Sequence, residues 1–365
     1  MQFIEIAREI DKTNLKLLIL DEPTAVLTES EAAKFLDVIK KLSEMGISIL
    51  FISHRLDEIK QVTDSITILR DGEVVASVKT DDVREIARLM VGRKVELTKM
   101  EDEIRDIKDE NILEIKDLKV KMPGEEVKGL NLTVRRGEIL GIGGLAGQGK
   151  LGIANGIMGL YESSGTIIKD GKKLPLNNPR EVLKSSVAFL SEDRRGVGLL
   201  LDDSIEFNIA FSSLEIQDNF LKKIGPLKLI DNKKVREYAD KMIKELDIRC
   251  TGPKQHVRSL SGGNQQKVCI ARALSLNPDL LLVSEPTRGI DIGAKKLVLD
   301  TLVKLNREKG VTIIITSSEL GELRQVADRI AIIYDGKLAG ILPPDATDEE
   351  FGLLMAGEDI EKVVN

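Results

Sequence analysis

Two stretches of this chain repeat one another, and the repeat constrains the fold more than any other feature. LLILDEPTAVLT from Leu17, FISHRLDEI from Phe51 and ILRDGE from Ile68 return as LLLVSEPTRGID from Leu280, IITSSELGEL from Ile314 and IIYDGK from Ile332. In each copy, short apolar β-branched runs alternate with helical patterns, the signature of an α/β fold with mostly parallel strands. The first copy predicts strands at Leu17–Leu20, Ile47–Ile52 and Ser65–Leu69, helices at Glu29–Met45 and Asp57–Val62, and a hairpin turn at Asp71-Gly72. The second predicts Leu280–Val283, Ala294–Glu308, Val311–Thr316, Gly321–Val326, Arg329–Tyr334 and a turn at Asp335-Gly336. Two segments matching in order, type and spacing read as a duplicated domain. Only the second is preceded by a glycine-rich loop, Gly144-Leu145-Ala146-Gly147-Gln148-Gly149-Lys150.

The boundaries follow from composition. A chain of 365 residues suggests about two domains at roughly 150 residues each. Residues 1–92 read as the later part of one nucleotide-handling domain, and 111–345 as a complete second one. Between them, residues 93–110 are dense in Lys, Asp and Glu and read as a solvated linker after a helix at Val83–Met90. Residues 346–365 form a tail expected to add a helix and a frayed end. Aligning Ile6-Ala7-Arg8 with Ile270-Ala271-Arg272 sets Met1 opposite Gln265, inside a helix. The expectation is therefore a truncated form: a fragment, a split gene or a misplaced start.

Composition excludes several classes. Net charge is −6 with no basic block, which argues against nucleic acid as a partner. The longest apolar runs, such as Ile47–Ile52 and Val311–Ile315, fall far short of the roughly 20 residues a membrane span requires. No charged-then-apolar leader precedes them, so a cytoplasmic location is expected. Cys250 and Cys269 fit neither a disulfide framework nor a metal site and read as buried or inert thiols.

Four motifs carry chemistry. Gly144–Lys150 has the G-x-x-x-x-G-K spacing of a phosphate-binding loop, whose backbone N–H groups approach phosphate while Lys150 reaches the outer oxygens. The next position should hold a Mg²⁺-ligating hydroxyl, yet it is Leu151, a hydrocarbon. LSGGNQQK, Leu260–Lys267, offers a helix-start anion nest from Ser261, Gly262, Gly263 and Gln265, or simply a helix capped by Ser261. LLILDEPT ends an apolar strand in paired acids, with Asp21 placed to hold Mg²⁺ and Glu22 to polarise an attacking water. In the second copy the first acid becomes Ser284 while Glu285 remains. His54 ends a strand where its imidazole would meet a γ-phosphate or the water, and its counterpart is Ser318.

These residues resemble the ATP-binding cassette family, in particular the double-cassette ATPase subunits of bacterial importers for ribose, galactose, xylose and related simple sugars. The likeness runs from Met1 to about Glu358 and includes Ser191-Glu-Asp-Arg-Arg195 with Gly198-Leu199, similar to the PEDR…GL segment of that class. Glu192 stands where most cassettes have the Q-loop glutamine. The resemblance implies a P-loop NTPase fold, a mostly parallel sheet flanked by helices with an antiparallel β subdomain and a helical subdomain, as partial plus complete tandem copies. It also implies ATP and Mg²⁺ as cofactors, transmembrane permease subunits and a periplasmic or lipid-anchored substrate-binding protein as partners, and a place on the cytoplasmic face of the cell membrane. The permease would meet a helical segment over roughly Asp202–Leu221.

In such proteins each site pairs one cassette's P-loop, Walker B and histidine with the other's signature. One site here would use Asp21, Glu22 and His54 with Ser261–Gly263 but lacks a P-loop in this chain. The other would join Gly144–Lys150, Glu285 and Ser318 to a signature equally absent from it. Leu151, Ser284 and Ser318 together remove two Mg²⁺ contacts and a phosphate-side hydrogen bond, and loss of one such donor typically costs about 10²–10³ in rate. The aromatic residue that stacks on adenine in the family has no candidate between Asn111 and Leu160. The second site is therefore expected to bind or to serve structure rather than turn over. Three functions compete: an importer ATPase for sugars or nucleosides, a soluble double cassette acting on ribosomes or in another non-transport role, and a non-hydrolysing interaction module. The mixed charge of residues 93–110 weighs against the second.

Overall fold

A computed structural model of the chain describes residues 15–21, 23–24, 29–53, 56–70, 73–79, 107, 109–224, 227–290 and 292–358. It divides into two compact units: Met1–Thr98 with Asp291–Gly293, and Lys99–Ile290 with Ala294–Asn365.

The smaller unit runs β1 (Leu17–Asp21), α1 (Glu29–Glu44), β2 (Ser48–Ile52), α2 (Leu56–Val62), β3 (Ile66–Arg70) and β4 (Glu73–Val78). β1 to β3, α1 and α2 each lie within a residue of their sequence expectation, and β4 is a strand for which no range was expected. β1 and β2 pair in parallel, Leu17 opposite Ser48 and Asp21 opposite Ile52. Strand alternation sends Leu18 and Leu20 into a core with Phe35, Leu36, Ile39 and Leu42, which recur on one face of α1 at helical spacing. β3 and β4 pair antiparallel with an irregularity between Ile68 and Leu69. The Asp71-Gly72 turn, the helix expected at 83–90 and the linker over 93–106 lie outside the described residues.

The larger unit opens with β5 (Asn111–Val120), β6 (Val127–Arg135), β7 (Ile139–Gly143), α3 (Lys150–Ile157), β8 (Ser163–Lys169), β9 (Lys172–Lys173), α4 (Pro179–Lys184) and β10 (Val187–Leu190). It continues through α5 (Ile205–Gln217), β11 (Leu221–Ile224), β12 (Leu227–Ile230), α6 (Asn232–Glu245) and α7 (Gly262–Leu274). It closes with β13 (Leu280–Ser284), α8 (Ile292–Lys309), β14 (Thr312–Thr316), α9 (Leu320–Val326), β15 (Arg329–Tyr334), β16 (Lys337–Leu342) and α10 (Asp348–Met355).

Its main sheet has the order β10-β13-β14-β7-β15-β16, parallel except for the last pair. β7, β13 and β14 are buried at every position, as a parallel strand covered on both faces must be. Successive side chains divide between two cores. Leu281, Val283, Ile313 and Ile315 pack with residues of α5 to α8, whereas Leu280, Leu282, Ile314 and Ile142 pack with α3 and the β5–β6 pair. A second, antiparallel sheet runs β6-β5-β8-β9.

The helix expected over Asp202–Leu221 is shorter. Ser204 caps its start by accepting from the Phe207 N–H at 3.2 Å, and Asp218 in the left-handed region at φ 56° ends it. LKKI and LKLI then pair as the hairpin β11–β12, whose alternation of Lys with apolar residues is a strand pattern. The expected tail helix is α10, opened by a reciprocal Thr347–Glu350 capping box.

β1–β2 and β3–β4 match β13–β14 and β15–β16 in direction and order. Even the irregularity recurs, between Ile68 and Leu69 in one and Ile332 and Ile333 in the other. β7, which joins the two pairs in the larger unit, has no counterpart among the described residues of the smaller.

Candidate functional site

The register Ser284 opposite Thr316 opposite Ile142 levels the C-terminal ends of β13, β14 and β7 at one sheet edge, where open α/β sheets bind ligands. β7 delivers the glycine loop there. Gly144 has φ 143°, and a Cβ on it would strike the Ile333 carbonyl; Gly149, just before α3, takes φ 95°. Those two positions need glycine for the loop to turn under the sheet edge. Leu145, Ala146 and Gly147 are exposed at the tip. Gln148 turns aside: its side-chain oxygen accepts from the Asp335 N–H at 2.6 Å, and its carbonyl accepts from the Gly336 N–H at 2.9 Å. Lys150 is 1% exposed and donates to the Leu145 carbonyl at 3.3 Å.

The loop amides converge on an anion, and that anion is Glu125. Its carboxylate accepts from the N–H of Gly147 at 2.8 Å, Gly149 at 2.9 Å and Leu151 at 3.2 Å. Sequence reasoning missed this contact because Glu125 lies in an unremarkable turn before β6.

Across the same edge, β13 ends in Ser284, which is fully buried and whose hydroxyl has no partner among the described residues. Glu285 follows at φ 45°, with its N–H on the Thr316 carbonyl at 2.8 Å. Its carboxylate accepts from Ser318 Oγ at 2.6 Å, so the structure brings this acid and the histidine's counterpart together. A further group was not anticipated. Glu322 is buried and accepts from Thr287 Oγ1 at 2.6 Å and Ser317 Oγ at 2.8 Å, with Lys295 Nζ at 3.4 Å. Burial, then the neighbouring Glu319 charge, raises its pKa above the ordinary carboxylate value. The smaller unit repeats the pair: Thr24 Oγ1 donates to Glu58 at 2.6 Å. The signal in sequence was a glutamate at matching places in FISHRLDEI and IITSSELGEL. Asp21 is exposed at the end of β1, opposite Ile52. Glu22 and His54 lie outside the described residues.

At the signature, Ser261 precedes α7 without capping it; its hydroxyl accepts from Asn264 Nδ2 at 2.9 Å. That leaves the first-turn N–H groups uncapped by the serine, which favours the anion nest over the plain-cap reading. Gly262 sits beside the Arg194 guanidinium and the Gly289 carbonyl, and a Cβ on Gly263 would press on Ala294. Gln265 corrects the sequence expectation. It is 2% exposed and donates to the Val257 carbonyl at 3.2 Å, so it braces the turn entering α7 rather than facing a ligand. Glu192 follows β10 and accepts from Ser191 Oγ at 3.3 Å. It lines a cavity of about 350 Å³ with Asp193, Arg194, Arg195 and Arg288. Burial lowers the pKa of Arg194 from its ordinary value.

Chemically, the glycine loop suits an oxyanion, as the bound carboxylate demonstrates. Among the described residues the donor set beside it suits Mg²⁺ poorly: Leu151 offers hydrocarbon, Ser284 a buried hydroxyl and Glu285 a carboxylate, while the Glu125 carboxylate is taken up by the loop amides. Among the described residues, no cluster of three or more His, Cys, Asp or Glu could hold a metal ion. None of the described helices is long and apolar enough to cross a membrane.

Residues 127–288 match the family model described as ABC transporter. The chain is similar to the ribose import ATP-binding protein of Bacillus subtilis (strain 168), 41% identical over 360 residues, 98% of this chain and 70% of that one. It is similar also to the xylose import ATP-binding protein of Thermoanaerobacter pseudethanolicus, at 39% over 96% of this chain and 68% of the relative. The nucleoside import ATP-binding protein of Lactococcus lactis subsp. cremoris (strain MG1363) matches at 39% over 99% and 71%. Among solved structures, a dimeric bacterial ABC transporter cassette superposes with TM-score 0.53 at 25% identity, covering 64% of this chain and all of that one.

Proposed function

This chain belongs to the ABC transporter family, and we propose that within it the chain is the ATP-binding subunit that energises a bacterial importer for a simple sugar. One observation carries the reading: the likeness to import ATP-binding proteins spans 98% of the chain, well past the 127–288 segment common to cassettes at large. Permease subunits would be its membrane partners, a substrate-binding protein would deliver the cargo, and the subunit would work at the cytoplasmic face. A nucleoside is the second reading for cargo, favoured by the Lactococcus relative.

The roles divide between two ATPase domains, a partial first one and a complete second one. In the first, Asp21 would hold Mg²⁺, Glu22 would polarise the water and His54 would face the γ-phosphate. A carboxylate at the exposed end of a parallel strand has the hard oxygen donors that Mg²⁺ takes. ATP, when bound, supplies the phosphoanhydride whose cleavage drives transport. In the second domain, the Gly147, Gly149 and Leu151 amides with Lys150 would grip phosphate, while Ser261, Gly262 and Gly263 offer a second nest. Glu285, tied to Ser318, stands ready to order a water. Its surroundings lack the Mg²⁺ donors, so this loop serves as a binding site of low turnover.

Deleting the gene should abolish uptake of one radiolabelled pentose or hexose, and complementation should restore it. Unchanged uptake of every simple sugar and nucleoside offered would refute the importer reading.

A further inference from the structure

The glycine loop is an oxyanion site already filled from within. Glu125 presents both carboxylate oxygens to three N–H groups, Oε1 to Gly147 and Oε2 to Gly149 and Leu151. It is 9% exposed, so solvent does little to satisfy it otherwise. The backbone beside it is pressed on the same loop: Cβ atoms on Gly149 and Gly152 would collide with the carbonyls of Glu126 and Glu125. The turn is pinned by the Glu125 N–H on the Met122 carbonyl at 3.0 Å. On the other flank, Lys128 pairs with Asp335 at 2.5 Å, and the Asp335-Gly336 turn holds Gln148. Lys150, the cation that would reach outer phosphates, is folded onto the Leu145 carbonyl.

We propose that Glu125 is a built-in phosphate mimic, so that Gly144–Lys150 accepts a nucleoside di- or triphosphate only by displacing it. This rests on the reading of Gly144–Lys150 as the phosphate-gripping loop. A carboxylate carries one charge on two oxygens, whereas a phosphate chain offers more of both to the same amides and to Lys150. Nucleotide therefore wins only at the cost of expelling an ion that three amides hold. The loop is closed at low nucleotide and opens when nucleotide rises, with the turn 122–126 leaving as it does.

The test uses the full chain and a fluorescent methylanthraniloyl ADP titration on wild type, Glu125→Gln, Lys150→Ala and the double variant. Glu125→Gln keeps the side-chain shape but removes the charge. It should bind nucleotide at least about tenfold tighter than wild type, equivalent to about 1.4 kcal/mol. Adding Lys150→Ala should erase that gain. Without ligand, Glu125→Gln should melt lower than wild type, and inorganic pyrophosphate should raise its midpoint by more than it raises the wild type's. Equal or weaker binding by Glu125→Gln, in a background where Lys150→Ala still weakens the wild type, would overturn the mimic and leave the phosphate loop standing. Indifference of every variant to Lys150→Ala would overturn both.

Discussion

Thr287→Val removes one hydroxyl and keeps the shape of the side chain, so it isolates the contact between the turn carrying Glu285 and helix α9. Thr287 is 2% exposed and its Oγ1 lies 2.6 Å from Glu322, itself 5% exposed. A hydrogen bond to a charged group contributes about 1.5–3 kcal/mol, and here, among the described residues, the abandoned carboxylate oxygen keeps Lys295 at 3.4 Å. At roughly 2–4 °C per kcal/mol, the larger unit should melt about 3–12 °C lower.

The pH dependence has a fixed sign. Burial raises the Glu322 pKa, with Glu319 adding to it, so the folded chain holds this proton to higher pH than the unfolded chain does. The side chain's contribution to stability is complete below the unfolded-state value and is lost as pH rises through the folded-state value. Thr287 donates to the ionised form in particular, so its loss is felt most where that form prevails. Thermal melts of wild type and Thr287→Val at pH 8 and pH 5 should show the larger deficit at pH 8. A deficit that grows on acidification, or a pH 8 midpoint within about 1 °C of wild type, would refute the clamp.

Arg329→Met should cost about 3–5 kcal/mol in denaturant melts, because Glu138 is fully buried and Arg329 donates to both its oxygens, at 3.1 and 2.8 Å, leaving Arg135 as its remaining cation among the described residues. With native protein at pH 8, Ellman's reagent should titrate Cys250 alone and reach both thiols only after unfolding, since burial pushes the Cys269 thiol up to about 12; two fast thiols in the native state would contradict the placement of Cys269.

What the sequence made legible was governed by period and by backbone chemistry. Strands β13 and β14 announce themselves through the apolar runs Leu280–Val283 and Ile313–Ile315 because both their faces are covered, and α1 because Phe35, Leu36, Ile39 and Leu42 recur on one face. The glycine loop was legible because its turn demands φ values that only glycine takes freely, at Gly144 and Gly149. The misses share a cause as well. Glu125 meets the loop amides from a separate turn, and Thr287 meets Glu322 across two connections; neither pairing has a periodicity, only a fold that closes the distance. Gln265 was misjudged because motif spacing places a residue on a helix without saying which face the interior claims. The helical segment was carried too far, to Leu221, because helix α5 ends at an Asp in the left-handed region, a stop that no glycine or proline advertises.

The two units diverge at their acids and agree at the contact behind them. Asp21-Glu22-Pro-Thr becomes Ser284-Glu-Pro-Thr, yet Thr24 binds Glu58 as Thr287 binds Glu322, each at 2.6 Å and each buried. The threonine–glutamate pair therefore does not depend on the acid that would hold Mg²⁺. In the larger unit Glu285 meets Ser318 though its neighbour is a serine. Ser284→Asp with Leu151→Ser would add oxygen donors at this sheet edge without touching the Thr287–Glu322 contact, so the two features can be tested apart.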